Sequence, residues 1–265
     1  MAAKKKKAPK PEKTEPPERN GILAGGNFIV DHVKVVDHYP EQEMLASILS
    51  ESMSNGGGPY NVLKDLSLMG AKFPLSAVGL LGDDEAARWI LDDCSRHEID
   101  TSRLRLTSQS PTSYTDAYTV RGTGRRTFFH QRGANALLRH EDFDFSKTRA
   151  KIFHFGYFLL LDALDRVDDN GRTGASRVLQ AAGEAGLITS ADAVSTENER
   201  FAEVIKSSLP YLNYLFLNEI ETGRVTGLRL RQGGEIQWSV CEDAARALIG
   251  FSVKNLAVIH FPEGT

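Results

Sequence analysis

Six consecutive residues, Gly56-Gly57-Gly58-Pro59-Tyr60-Asn61, set bare backbone, a turn former and a carboxamide side by side. Positions without a Cβ let main-chain amides come close to a ligand, and proline favours the first turn of a helix. Val62, Leu66 and Met69 follow at helical spacing, so the glycines read as a loop feeding a helix, with Asn61 at the helix start facing back into the loop. Taken alone, the segment also fits an ordinary loop. A carboxylate stands upstream, where Asp31 ends the apolar run Gly26-Asn27-Phe28-Ile29-Val30-Asp31. There it can accept hydrogen bonds from two adjacent hydroxyls of a polyol; a solvent-facing strand-end aspartate is the plainer alternative. In Leu217-Asn218-Glu219-Ile220-Glu221, Asn218 and Glu221 share one face of a helix's first turn. Such a pair can hold metal-bound water beside phosphates, or simply cap the helix.

The elements that must position these groups alternate between strand and helix. Strands are expected at Ile22 to Ala24, Leu75 to Gly79, Lys151 to Phe155, Leu187 to Thr189, Leu212 to Leu217 and Leu256 to His260. Helices are expected after Asn61, through Ala87, Ile90, Leu91 and Cys94, through Ala175, Val178, Leu179 and Ala182, and through Phe201, Val204, Ile205 and Leu209. This alternation predicts an α/β fold, a Rossmann-like three-layer sandwich with a mainly parallel sheet. Tyr114 to Val120 and Arg125 to His130, joined by Arg121-Gly122-Thr123-Gly124, read instead as a β-hairpin. With the extended stretch Phe28 to Val36, the hairpin predicts a small β-lid from segments at about 28–39 and 114–131.

The glycine run, the Gly26 to Asp31 opening and the segment Leu75 to Asp84, which ends in Gly82-Asp83-Asp84, together resemble the ribokinase-like, or PfkB, carbohydrate kinases. Gly133-Ala134-Asn135 resembles that family's return to the main domain; Asn135 is read as a turn former. The resemblance covers about residues 21–265 and implies ATP-dependent phosphorylation of a hydroxymethyl group on a sugar or nucleoside. It implies acceptor binding by Asn27, Asp31, Gly56, Gly57 and Asn61, and a magnesium and phosphate role for Asn218 and Glu221. Asn27 with Asp31 is similar to the adenosine kinase branch in particular. The family's second signature, a glycine-rich turn carrying the catalytic aspartate, has no match here. The base is therefore expected beyond Thr265, and the 265-residue chain alone is expected to be inactive. The alternative is a catalytically incomplete sugar- or nucleoside-binding module.

Composition bounds the rest. With 41% hydrophobic and 25% charged residues, the chain suits one core-forming domain. A net charge of -3 gives no basic footprint for nucleic acid, and no apolar run approaches the about 20 residues of a membrane span. Cys94 and Cys241 lie at helical spacing and read as buried thiols, which points to a reducing, cytoplasmic setting. Residues 1–20, with Lys4 to Lys7 and four prolines, read as a solvated, disordered basic tail. No dinucleotide or P-loop spacing occurs; Gly122-Thr123-Gly124 is a hairpin turn, and the seven histidines show no metal spacing. Expected partners are a small sugar or nucleoside and ATP, with a homodimer formed through the lid edge.

Overall fold

The computed structural model describes residues 18–265. Its strands are β1 (Ile22–Gly26), β2 (Ile29–Val36), β3 (Ile48–Gly56), β4 (Leu75–Gly82), β5 (Ile99–Thr107), β6 (Tyr114–Val120), β7 (Arg126–Gln131), β8 (Ile152–Phe158), β9 (Ile188–Ala193), β10 (Tyr214–Asn218), β11 (Arg231–Gln232), β12 (Glu235–Ile236) and β13 (Leu256–His260). The α-helices are α1 (Gly58–Leu68), α2 (Glu85–Arg96), α3 (Asp162–Asp165), α4 (Gly174–Glu184), α5 (Phe201–Lys206), α6 (Glu219–Thr226) and α7 (Trp238–Gly250).

In β1, successive side chains belong to different cores: Ile22 and Ala24 pack on one side, Leu23 on the other. The same alternation divides β4, where Leu75 and Ala77 share the first core and Val78 and Leu80 the second. Seven strands form one sheet in the order β13-β10-β9-β8-β1-β4-β5, parallel at every pairing. The chain steps one way from β1 through β4 to β5, and the other way from β8 through β9 and β10 to β13. Right-handed crossovers place the helices of the two runs on opposite faces. Accordingly α1 and α2 pack with Ile22, Ala24 and Leu75, while α4 and α5 pack with Phe153, Phe155, Ala191 and Leu215. On the α1 face, the part built from β8, β9, β10 and β13 borders an open cavity of about 670 Å³.

β2 and the β6–β7 hairpin meet in a second sheet of four strands, ordered β3-β2-β6-β7. Its outer strand, β3, was hidden in the sequence, because Ile48-Leu49-Ser50-Glu51-Ser52-Met53 shows no alternation of polarity and all six residues are exposed. Backbone pairing with β2 holds it, and β3 delivers Gly56. β5 likewise carries no clear polarity pattern, and its mixed residues pair with β4 along its length. Gly122 and Gly124 do form the hairpin turn, and Cys94 and Cys241 are buried free thiols on α2 and α7.

The basic tail expected at residues 1–20 lies outside the described residues up to residue 17. Arg19 and Asn20 are not part of any tail: the Arg19 guanidinium donates to the carbonyls of Thr148 and Ala150, each at 3.1 Å, and to that of Ala185. The Asn20 amide donates to the Arg149 carbonyl at 2.8 Å. Among the described residues, no helix is long and apolar enough to cross a membrane.

β8 runs into a loop fixed by one carboxyl group: Asp165 accepts hydrogen bonds from the amides of Leu159 at 3.0 Å and Leu161 at 2.7 Å. Burial pushes that carboxyl up to about 7, against the pull of the two amides. A carboxyl raised in the folded state favours folding while protonated, and that contribution is lost as pH rises through the folded value. Chemical denaturation between pH 5 and 8 should therefore show wild-type stability falling with pH relative to Asp165→Asn, whose profile stays flatter.

Candidate active site

Three chain segments come together at the carboxyl ends of β1 and β8. The Gly26 Cα abuts the Gly156 carbonyl so closely that a Cβ there would overlap it. The Asn27 amide donates to the same carbonyl at 2.8 Å, and Asn27 Oδ1 accepts from the Tyr157 amide at 2.8 Å. Asn27 is fully buried by this clamp, and only its Nδ2 lacks a partner among the described residues. It therefore stands behind the hollow instead of lining it.

The glycine run enters this junction from β3. Gly57, at φ +98°, is the N-cap of α1, and a Cβ on it would collide with the Asn27 carbonyl. Helix α1 thus begins at Gly58, three residues ahead of the start expected at Asn61, because the positive-φ glycine and Pro59 provide the cap and first turn. Asn61 lies one turn in, its amide bonded to the Gly57 carbonyl at 2.9 Å and its side chain exposed. Each remaining glycine makes room for a different group. The Asp31 carboxylate occupies the space above Gly56. At Gly58 a Cβ would stand 3.0 Å from the Tyr157 ring and 3.2 Å from Asp192 Oδ1.

Tyr157 is the common neighbour of the predicted acceptor residues. Burial pushes its phenol up to about 12; the charges of Asp192, Asp31 and Glu221 push the same way, and hydrogen bonding with Asn61 opposes them. Tyr157 thus lies within electrostatic reach of both Asp31 and Asn61. Burial raises Asp31 above the usual carboxylate range, with His32 and Arg126 pulling it back. Asp192 is raised well above that range by burial and by the Glu221 charge. Its Oδ1 has no hydrogen-bond partner among the described residues. His154, driven down to about 4 by burial, is a neutral imidazole. Its Nδ1 lies 3.1 Å from Ser190 Oγ and its Nε2 3.7 Å from Asp192 Oδ1, so the latter contact is no ion pair. His154, Ser190 and Asp192 also border the open cavity.

Asn218 and Glu221 form a reciprocal capping box on α6. Asn218 Oδ1 accepts from the Glu221 amide and Glu221 Oε2 from the Asn218 amide, both at 2.9 Å. Glu221 Oε1 also accepts from Ser195 Oγ at 2.9 Å and Asn218 Nδ2 at 2.8 Å. Burial raises Glu221, with the Asn218 amide and Ser195 opposing. The capping alternative is thus real, and it holds the carboxylate still.

Asn135 sits in a 3₁₀ turn, Gly133–Leu137, fully buried, with its Nδ2 donating to the Phe28 carbonyl at 3.2 Å. Sequence reasoning missed Tyr157, Asp192, His154 and Ser195. A signal did exist for the first: Gly156-Tyr157 directly follows the expected strand Lys151 to Phe155.

Comparison with known proteins gives this arrangement its relatives. A family model described as pfkB family carbohydrate kinase matches residues 21–258. The probable fructokinase-7 of Arabidopsis thaliana is 29% identical over 144 residues, covering 53% of this chain and 40% of that protein. The ketohexokinase of Mus musculus is 30% identical over 110 residues, covering 42% of this chain and 36% of that protein. The matches thus span less than half the length of these two relatives. The structure of Arabidopsis thaliana ribokinase complexed with ribose and ATP superposes with a TM-score of 0.68 at 18% identity, covering 91% of this chain and 72% of that one.

Gly57→Ala meets main chain and a positive φ, whereas Gly56→Ala meets only the movable end of Asp31. Urea denaturation should show Gly57→Ala the more damaging, by roughly 1–3 kcal/mol of backbone strain alone. Asn218→Ala, which removes the α6 cap, should cost about 1 kcal/mol in the same measurement.

Proposed function

This chain belongs to the pfkB family of carbohydrate kinases, and from that premise we propose that its hollow binds the acceptor for phosphoryl transfer from ATP to a hydroxymethyl group of a sugar or nucleoside. What supports this reading is the placing of the Asp31 carboxylate at Gly56 and of the Tyr157 ring and Asp192 at Gly58, over glycines that leave backbone bare, with Asn61 one turn into α1. Asp31, ionised, accepts from two vicinal hydroxyls of the acceptor; Gly56 and Gly57 let the ring approach main chain, and Asn61 offers both a donor and an acceptor. Asn27 fixes the floor by holding Tyr157.

Magnesium fits the other end. Among the described residues no group of three or more histidine, cysteine or acidic side chains is placed to ligate a metal directly. Asp192 Oδ1 is nonetheless buried without a partner beside Glu221, and two carboxylates short of a cation suit a hydrated divalent ion. Asn218 and Glu221 would hold it through water, and bound there it would neutralise charge on the phosphates. The general base of the reading is the family's aspartate in a glycine-rich turn after β13. Such a turn matters to the rate, since losing even one charge-stabilising donor costs on the order of 100- to 1,000-fold.

The small sheet closes over the acceptor as a lid and excludes water. Its outer apolar side chains, Ile48, Leu49, Met53, Phe128 and Phe129, are exposed and pair it with a second copy of the chain. A reducing, cytoplasmic setting completes the reading.

Thermal unfolding with D-ribose, D-fructose and adenosine tests it. At least one should raise the melting temperature of the wild type, and Asp31→Ala should abolish the rise while folding normally. A wild type indifferent to all three would refute the acceptor hollow. Because the Asp31 carboxyl is raised above 3.8, acceptor affinity should fall on acidification at a pH above that of a free aspartate. Calorimetric titration across pH 4–8 measures this.

A further inference from the structure

We propose that Tyr157 is a specificity-determining contact of the acceptor hollow, its hydroxyl donating a hydrogen bond to one particular hydroxyl of the bound sugar; this rests on the acceptor reading of the hollow above.

Three features of the fold fix the tyrosine there. Its backbone amide is anchored by the buried Asn27 Oδ1 at 2.8 Å. Its ring edge lies where a side chain on Gly58 would need to go, 3.0 Å from that position at Cε1 and 3.2 Å at Cδ1. The bare glycine is what admits an aromatic ring beside α1. Asp192 Oδ1 stands 3.2 Å from the same vacant position, and the Asp31 carboxylate fills the corresponding space at Gly56, two residues earlier. The Tyr157 hydroxyl remains protonated at neutral pH, since burial and three carboxylates all oppose its ionisation. The carboxylates of Asp192, Asp31 and Glu221 act on it, and a protonated phenol facing a carboxylate or a sugar oxygen donates.

A sugar hydroxyl is both donor and acceptor. Placed between Asp31 and Tyr157, one such group gives its proton to the carboxylate and receives one from the phenol. A sugar without that hydroxyl leaves the phenol and the carboxylate facing each other without an intermediary. Sites that hydrogen-bond a substrate hydroxyl reject the analogue lacking it, because their polar groups are then unpaired. Tyr157 thereby selects among polyols by the position of one oxygen.

The experiment is calorimetric titration of the full 265-residue chain and of Tyr157→Phe with D-ribose, D-fructose and their monodeoxy counterparts. The substitution removes one oxygen and keeps the ring, and an unchanged melting temperature without ligand verifies the fold. Tyr157→Phe should weaken the parent sugar roughly three- to tenfold, the range of one neutral hydrogen bond. One monodeoxy sugar should bind wild type and Tyr157→Phe equally, while the others still lose the full factor. Parent binding unaffected by Tyr157→Phe, or an equal loss for every analogue, overturns the inference and leaves the acceptor reading standing. A wild type that binds neither sugar overturns the inference, and the acceptor reading falls with it if adenosine is also without effect.

Discussion

Backbone has to touch backbone at the carboxyl ends of β1 and β8, and the site depends on that contact. Gly26 lies against the Gly156 carbonyl, and Gly57 against the Asn27 carbonyl, at separations that exclude a Cβ at either glycine. Once these contacts form, the chain from β3 must enter α1 between the tip of β1 and the tip of β8. Asp31 then falls over Gly56, and Tyr157 and Asp192 fall on either side of Gly58. The chemistry-bearing side chains are placed by main-chain packing, which is stiffer than any side-chain network.

The charge balance of the hollow is unusual for its density of acids. Asp31, Asp192 and Glu221 are all raised by burial, and Asp192 also by the Glu221 charge; His32 and Arg126 pull Asp31 back, His260 pulls Glu221 back, and the buried His154 is neutral. Such a site suits ligands that bring donors or cations with them. The capping box on α6 serves two ends at once: it satisfies the helix terminus, and it immobilises a carboxylate that burial would otherwise leave poorly solvated.

Much of this was legible from residue types, because bare glycines, a strand-end carboxylate and an i, i+3 polar pair each carry a local signature. The parallel sheet followed from alternating strands and helices, and the hairpin from its turn. What stayed hidden depends on long-range contact. β3 has no polarity pattern of its own and is held by pairing with β2. Tyr157 and Asp192 are the penultimate residues of β8 and β9, and only the register of β8 beside β1 and β9 shows that both face Gly58. The start of α1 shifted to Gly58 because a glycine can adopt the capping φ that the sequence pattern alone does not reveal. Asn27 is fixed at the junction of β1 and β8, where its carboxamide oxygen satisfies the Tyr157 amide and its Nδ2 is left without a partner among the described residues.

Arg19 gives the molecule a practical polarity. Its three bonds to carbonyls pin the incoming chain just ahead of β8 and β9, at the amino ends of the sheet strands. The hollow opens at their carboxyl ends, about 16 Å away across a five-residue strand. A sensor chip, bead or fluorescent fusion attached ahead of Glu18 would therefore be tethered at the far pole, leaving the binding mouth presented to the bulk solution.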